Sequence, residues 1–170
     1  MSAPALSIAG TVGESIVDGP GLRYTVFTQG CPHHCPGCQN PQTHDFAGGR
    51  EFTVEALLRD ICRNPLVSGV TFSGGEPFCQ PEPLYLLAVE LKKKGKHLMA
   101  YSGYTFEDLL ALDDPFVRKL LEQIDLLVDG RYVEAERNLE LRFRGSANQR
   151  ILDVPASLAA GEARWAEQYR

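Results

Sequence analysis

An α/β fold is predicted, with parallel strands forming an incomplete, open βα barrel of about four to six strands. Three observations predict it. From Leu22 onward, short β-type runs alternate with amphipathic helical ones, the signature of βα units on a parallel sheet. The chain has 170 residues, whereas a closed eight-unit barrel typically takes about 250. At 44% hydrophobic residues it still carries enough apolar side chain for a real core. A barrel left open on one side admits a bulky substrate, such as a loop of another protein.

The elements are marked locally. Leu22 to Thr28 reads as the first strand. Thr53 caps a helix whose apolar face is Leu57, Leu58, Ile61 and Cys62, and Asn64-Pro65 ends it. Val70 to Ser73 is the second strand. Pro83 fits the first turn of a helix running from Leu84 to Lys94, which closes with three lysines before Gly95. His97 to Tyr101 is the third strand, and Thr105-Phe-Glu-Asp108 resembles a capping box opening a short helix. Asp114-Pro115 starts another helix. Ile124 to Val128 is a fourth parallel strand, and Ile151 to Val154 is a candidate fifth. The polar stretch from Glu134 to Arg150 is expected at the surface. Residues 1–154 thus read as one domain and 155–170 as a weakly helical or loose tail.

With 17 basic and 22 acidic residues the formal charge is −5, which argues against a nucleic-acid backbone as the main partner. The N-terminus, Met1-Ser2-Ala3-Pro4-Ala5, lacks a basic region followed by an apolar stretch, and no segment approaches the roughly 20 apolar residues that span a bilayer. A soluble, cytosolic protein is expected, with no membrane partner. Of the five cysteines, Cys31, Cys35 and Cys38 fall within eight residues, closer than a disulfide framework would place them. In a reducing compartment such a cluster reads as metal ligation. Cys62 is expected in the core, and Cys79 stands alone nearer the suspected site.

The chemistry concentrates on two loops. Gln29-Gly30-Cys31-Pro-His-His-Cys35-Pro-Gly-Cys38 follows the first strand, at the C-terminal strand end where parallel βα folds place their sites. Thiolates are soft ligands for iron-sulfur clusters or zinc, and both commonly take four protein ligands. This loop offers three. A four-iron cube held by three corners keeps one iron open to a chelating ligand; the competing reading is a Cys3His zinc site using His33, His34 or His44. The second loop, Ser73-Gly74-Gly75-Glu76-Pro77, weighs against zinc. Two glycines let a ligand approach the backbone, and the following carboxylate accepts from a cationic amino group.

The three-cysteine spacing and the Gly-Gly-Glu-Pro segment, in this order and at these strand ends, resemble the radical S-adenosylmethionine superfamily. Where many members carry an aromatic residue before the third cysteine, this chain has Gly37, so backbone around Gly37, Cys38 and Gln39 is left to contact adenine. Asp18-Gly-Pro-Gly-Leu-Arg23 and Cys38-Gln-Asn-Pro41 are similar to the activases of glycyl radical enzymes, of which the pyruvate formate-lyase activase is one. Tyr101-Ser-Gly-Tyr104, Leu127-Val-Asp-Gly-Arg131 and Arg142-Phe-Arg-Gly-Ser-Ala-Asn-Gln-Arg150 narrow the resemblance to the activases of anaerobic ribonucleoside-triphosphate reductase.

The resemblance implies a [4Fe-4S] cluster on Cys31, Cys35 and Cys38, reduced by an external donor such as flavodoxin or ferredoxin. It implies that an electron then cleaves S-adenosylmethionine, and that the 5'-deoxyadenosyl radical takes hydrogen from a glycine Cα of the partner reductase. Gly74, Gly75 and Glu76 would hold the methionyl amino group. Asp129 and Arg131 would meet the ribose or the methionyl carboxylate, against the plainer reading of a charged strand-end turn, and Ser102 stands similarly. Arg142, Arg144, Asn148, Gln149 and Arg150 would contact the reductase, against a solvated polar stretch. A small-molecule radical enzyme such as a 7-carboxy-7-deazaguanine synthase is the nearest rival, and a zinc-binding module the rival from another class.

Overall fold

The computed structural model describes residues 4–170; the Met1–Ala3 part of the N-terminal reading lies outside the described residues. Seven strands form one open sheet in the order β3-β1-β2-β4-β5-β6-β7. They are β1 (Ala5–Ser15), β2 (Arg23–Thr28), β3 (Arg50–Thr53), β4 (Gly69–Gly74), β5 (His97–Tyr101), β6 (Leu126–Asp129) and β7 (Arg150–Asp153). The four central strands, β2, β4, β5 and β6, are parallel, so their C-terminal ends lie along one edge. Between them run α1 (Val54–Cys62), α2 (Pro81–Lys93), α3 (Phe106–Ala111) and α4 (Pro115–Leu121), and α5 (Val154–Ala160) follows β7.

Local signals set most helix starts. The Thr53 hydroxyl accepts from the Ala56 N–H at the head of α1, the Thr105–Asp108 capping box closes in both directions at α3, and Asp114 accepts from the Phe116 N–H at α4. The second helix begins at Pro81, three residues before the expected Leu84. A 3-10 turn over Pro77–Cys79 feeds directly into it, and both prolines sit in the first turn, where a missing N–H costs nothing.

Strand alternation divides the interior in two. Val26, Val70, Phe72, Leu98, Ala100, Leu127 and Leu152 face the helices and pack on Leu57, Ile61, Leu84, Leu87, Leu91, Leu109 and Leu120. The intervening residues point to the other face, where Met99, Leu126, Val128, Ile151 and Ala166 form a smaller cluster with Tyr101, Phe143 and Tyr169. Arg23, Thr25 and Thr71 lie on that second face too. Arg23 is fully buried; it donates to Thr71 Oγ1 and to the carbonyls of Pro20, Val70 and His97. Burial pushes its pKa down to about 10, against the pull of nearby Asp125.

Three expectations are corrected. The candidate fifth parallel strand runs antiparallel to β6, because an irregular segment rather than a crossover helix joins them and the chain returns from the end it left. The antiparallel strands β1 and β3 were not anticipated; in β1 only Leu6, Ile8 and Ser15 are buried, so its alternation is faint. Cys62 lies half-buried beside the fully buried Leu57 and Ile61 rather than in the core. Residues beyond Val154 pack back, with Trp165 bridging Leu152 and Ala166 buried.

Candidate functional site

The loops after β2 and β4 meet because their parent strands are parallel neighbours, with Thr28 opposite Gly74 at the shared end. Backbone bonds lock them: Gly75 N–H donates to Thr28 O at 2.8 Å, and Glu76 N–H to Gly30 O at 2.8 Å. The approach is so close that a Cβ on Gly75 would lie 2.4 Å from Gly30 O, which excludes any side chain there. The cysteine loop is tethered on its other side by Gly30 N–H to Thr43 O and Cys31 N–H to His44 O. Within it Cys38 N–H donates to Cys35 O, and Asn40 N–H lies 3.4 Å from Cys38 Sγ.

Above these loops lies a cavity of about 600 Å³. Cys31, Cys35 and Cys38 line it together with Gln39, Gly74, Gly75 and Ser102. Sheet residues Phe27, Ser73 and Tyr101 form its floor, all on the face away from the helices. Burial raises the Cys31 thiol pKa, opposed by a hydrogen bond from the His33 backbone and reinforced by the Glu76 charge. Among the described residues no three His, Cys, Asp or Glu side chains converge on a single-ion position. A zinc ion would draw its sulfurs to about 2.3 Å from one centre, whereas a cube spreads its corners over several iron atoms. The donor set suits the cube: three soft ligands on one cavity wall, with His33 engaged elsewhere.

That engagement was not foreseen. His33 Nε2 lies 2.7 Å from Glu76 Oε1, and its ring packs edge-on against Tyr104 at 4.6 Å. Glu76 is fully buried. Its carboxylate also accepts from Ser102 Oγ, the Gly103 N–H and the Phe78 N–H. Glu76 therefore joins three strand-end loops from beneath instead of lining the cavity. A side chain at Gly103 would place its Cβ 2.3 Å from the His33 ring, so this glycine is needed to seat it. The only sequence hint of the pair was a histidine inside the cysteine loop.

Other candidates separate. Asp129 is buried; it accepts from the Phe106 N–H at the head of α3 and from Arg150. Arg150 also reaches Glu107, and the hydrogen bonds to Asp129 and Glu107 hold its pKa above the usual guanidinium range. Arg131 is exposed, outside the cavity wall, and its carbonyl accepts from Asn148. Gly37 is exposed at φ +75°, and a Cβ there would lie 2.7 Å from the Glu134 carboxyl carbon. Cys79 is exposed and outside the wall. The Glu134–Arg150 segment does not simply lie on the surface: Leu139, Leu141, Phe143, Arg144 and Gln149 cover the cavity's far side. Arg142 stands exposed, its guanidinium over Phe143 and Tyr169.

Fold and site define a single-cluster iron-sulfur class: residues 17–152 match the family model described as a 4Fe-4S single cluster domain. Proteins named anaerobic ribonucleoside-triphosphate reductase-activating protein are similar over most of their length. That of Vibrio cholerae is 33% identical over 144 residues, covering 80% of this chain and 90% of its own. That of Pasteurella multocida is 35% identical, with 80% and 90% covered, and that of Enterobacteria phage T4 is 33% identical, with 79% and 86% covered. The solved structure of QueE from Escherichia coli aligns with a TM-score of 0.48 and 22% identity over 59% of this chain and 54% of that one. The chain belongs to the family of anaerobic ribonucleoside-triphosphate reductase-activating proteins.

Proposed function

We propose that this protein is a radical S-adenosylmethionine activating enzyme that generates a glycyl radical on an anaerobic ribonucleoside-triphosphate reductase. One observation carries the reading: in a chain of this family, three thiols and the Gly74-Gly75 backbone share one cavity wall at parallel strand ends. Cys31, Cys35 and Cys38 are the ligands of a [4Fe-4S] cluster. When bound and reduced, that cluster supplies one electron to the sulfonium of S-adenosylmethionine, releasing methionine and the 5'-deoxyadenosyl radical that takes hydrogen from the partner's glycine.

The chain's own residues bind and orient. Gly74 and Gly75 leave their backbone open to the methionyl amino group, and Glu76 adds negative charge from beneath while bracing the loop. Backbone around Gly37, Cys38 and Gln39, with the Ser102 loop, takes the nucleoside end. Asp129 and Arg131 act through the β6 end that they shape. The four parallel strands form the body of an incomplete βα barrel, which among the described residues spans 4–154, with 155–170 closing its last edge. The reductase approaches the open side near Arg142, Asn148 and Gln149. A cytoplasmic protein reduced by flavodoxin or ferredoxin fits this chemistry, and the net charge of −5 disfavours nucleic acid. No described helix is long and apolar enough to cross a membrane.

The test is to incubate the anaerobically reconstituted, reduced protein with S-adenosylmethionine and its cognate reductase. A glycyl radical doublet by electron paramagnetic resonance is expected. Absence of the doublet, with turnover on a pterin instead, refutes the assignment.

A further inference from the structure

We propose that His33 is a positioning residue: through its hydrogen bond to Glu76 it fixes the cysteine loop against the Gly74-Gly75 backbone, and so sets where the nucleotide lies relative to the cluster. The inference rests on the S-adenosylmethionine reading above. His33 stands two positions from Cys31 and two from Cys35. It is bonded in both directions: its backbone N–H donates to the Cys31 thiol, and its Nε2 lies 2.7 Å from Glu76 Oε1. Against a carboxylate, which only accepts, Nε2 is the donor. Glu76 directly follows Gly75, so this one bond joins the ligand-bearing loop to the loop that receives the methionyl end.

Little else holds the middle of that loop. Its entry is tethered where the Gly30 and Cys31 N–H groups donate to the carbonyls of Thr43 and His44. From Pro32 to Gly37, the His33–Glu76 bond is the only hydrogen bond, among the described residues, to a residue outside the loop. Pro32 and Pro36 have no N–H to give, and His34 takes φ +49°, a left-handed conformation that few side chains other than asparagine and aspartate adopt readily. A sharp turn with so few bonds of its own depends on its side-chain anchor. The anchor is dry: the His33 and Glu76 side chains are 4% and 0% exposed, so water does not compete and the charge on the acceptor strengthens the bond. Its direction is fixed as well. The ring packs edge-on against Tyr104 and fills the space that a Cβ on Gly103 would need. Rates in oriented sites respond steeply to such registration, a misplacement of about 1 Å costing about a hundredfold.

The experiment records the electron paramagnetic resonance spectrum of the reduced, cluster-loaded protein before and after saturating S-adenosylmethionine, and the rate of 5'-deoxyadenosine formation per cluster. The wild-type spectrum is expected to change when the nucleotide is added. His33→Leu keeps all three thiols, so bound iron should stay near wild type while the nucleotide-induced spectral change shrinks and the rate per cluster falls about tenfold to a hundredfold. His33→Gln, whose amide N–H reaches close to the Nε2 position, should recover most of both. His34→Asn, at an exposed position outside the cavity wall and suited to the left-handed backbone, should match wild type. Gly103→Ala displaces the intact His33 ring from the other side, at a backbone angle outside the left-handed region, and should reproduce His33→Leu; it decides the matter if His33→Leu fails to load its cluster. A wild-type spectral change and rate in His33→Leu or Gly103→Ala overturns the proposal. So do losses that follow bound iron alone, which mark a merely structural role, or a His33→Gln protein no better than His33→Leu. If the wild-type spectrum ignores the nucleotide, the functional reading itself fails and this inference falls with it.

Discussion

Replacing Glu76 by glutamine keeps shape and removes one acceptor, so it isolates the hydrogen-bond network beneath the site. The carboxylate is fully buried and serves four donors: His33 Nε2, Ser102 Oγ, Gly103 N–H and Phe78 N–H. The amide has one oxygen. If its NH2 takes the Oε2 position it faces the Phe78 N–H; if it takes the Oε1 position it faces the Gly103 N–H. His33 can change tautomer and Ser102 can rotate, but a backbone N–H cannot become an acceptor. Either orientation leaves one backbone donor unsatisfied and removes charge assistance from the rest, a cost of about 2–4 kcal/mol. For a chain of this size each kcal/mol lowers Tm by roughly 2–4 °C, so a drop of roughly 5–15 °C is expected. Thermal unfolding of the cluster-free protein followed by circular dichroism measures it. A midpoint within about 2 °C of wild type would refute the network as described.

Alanine at Cys31, Cys35 or Cys38 is expected to abolish iron and sulfide incorporation and 5'-deoxyadenosine release, whereas Cys62→Ala and Cys79→Ala retain both; equal loss in a folded Cys62→Ala protein would sink the ligand assignment. Gly75→Ala drives a Cβ to 2.4 Å from Gly30 O, so it should cost about 1–3 kcal/mol and lower cluster loading, read by denaturant unfolding and iron content. Arg150→Gln leaves the buried Asp129 short of its cation and should cost about 2–3 kcal/mol, below the full value for a buried pair because Arg150 keeps 28% side-chain exposure. Glu107 is held below its ordinary value of 4.5 by the hydrogen bond from Arg150. That contribution is present above pH 4.5 and lost as pH falls through the folded-state pKa, so the acid limb of the stability curve should flatten slightly in Arg150→Gln, with the effect kept small by Glu107's exposure.

Features that depend on neighbours in sequence were legible. Thr53 and Thr105 were identified as caps and Asp114-Pro115 as a helix start, and all three side chains accept an N–H bond in the first turn of their helices. The two chemical loops were placed at strand ends, and the parallel register of β2 and β4 puts them side by side. Pairings that depend on distant chain were not. The strand β1 bonds to β2 and β3 through a weakly alternating sequence with two register shifts, and the direction of β7 follows from a long irregular return that no local pattern encodes.

By itself the sequence determined the donor types and their order: three thiols, a glycine pair and a carboxylate, each set at the end of a β run. Only the tertiary structure decided where each side chain's bonding capacity is spent. Glu76 meets His33 from 43 positions away and Ser102 from 26, and Asp129 turns to Arg150, so these acids brace loops. The physical reason is that a buried polar atom must be satisfied by whatever the fold brings within about 3 Å, and that inventory is set by packing between strands far apart in the chain.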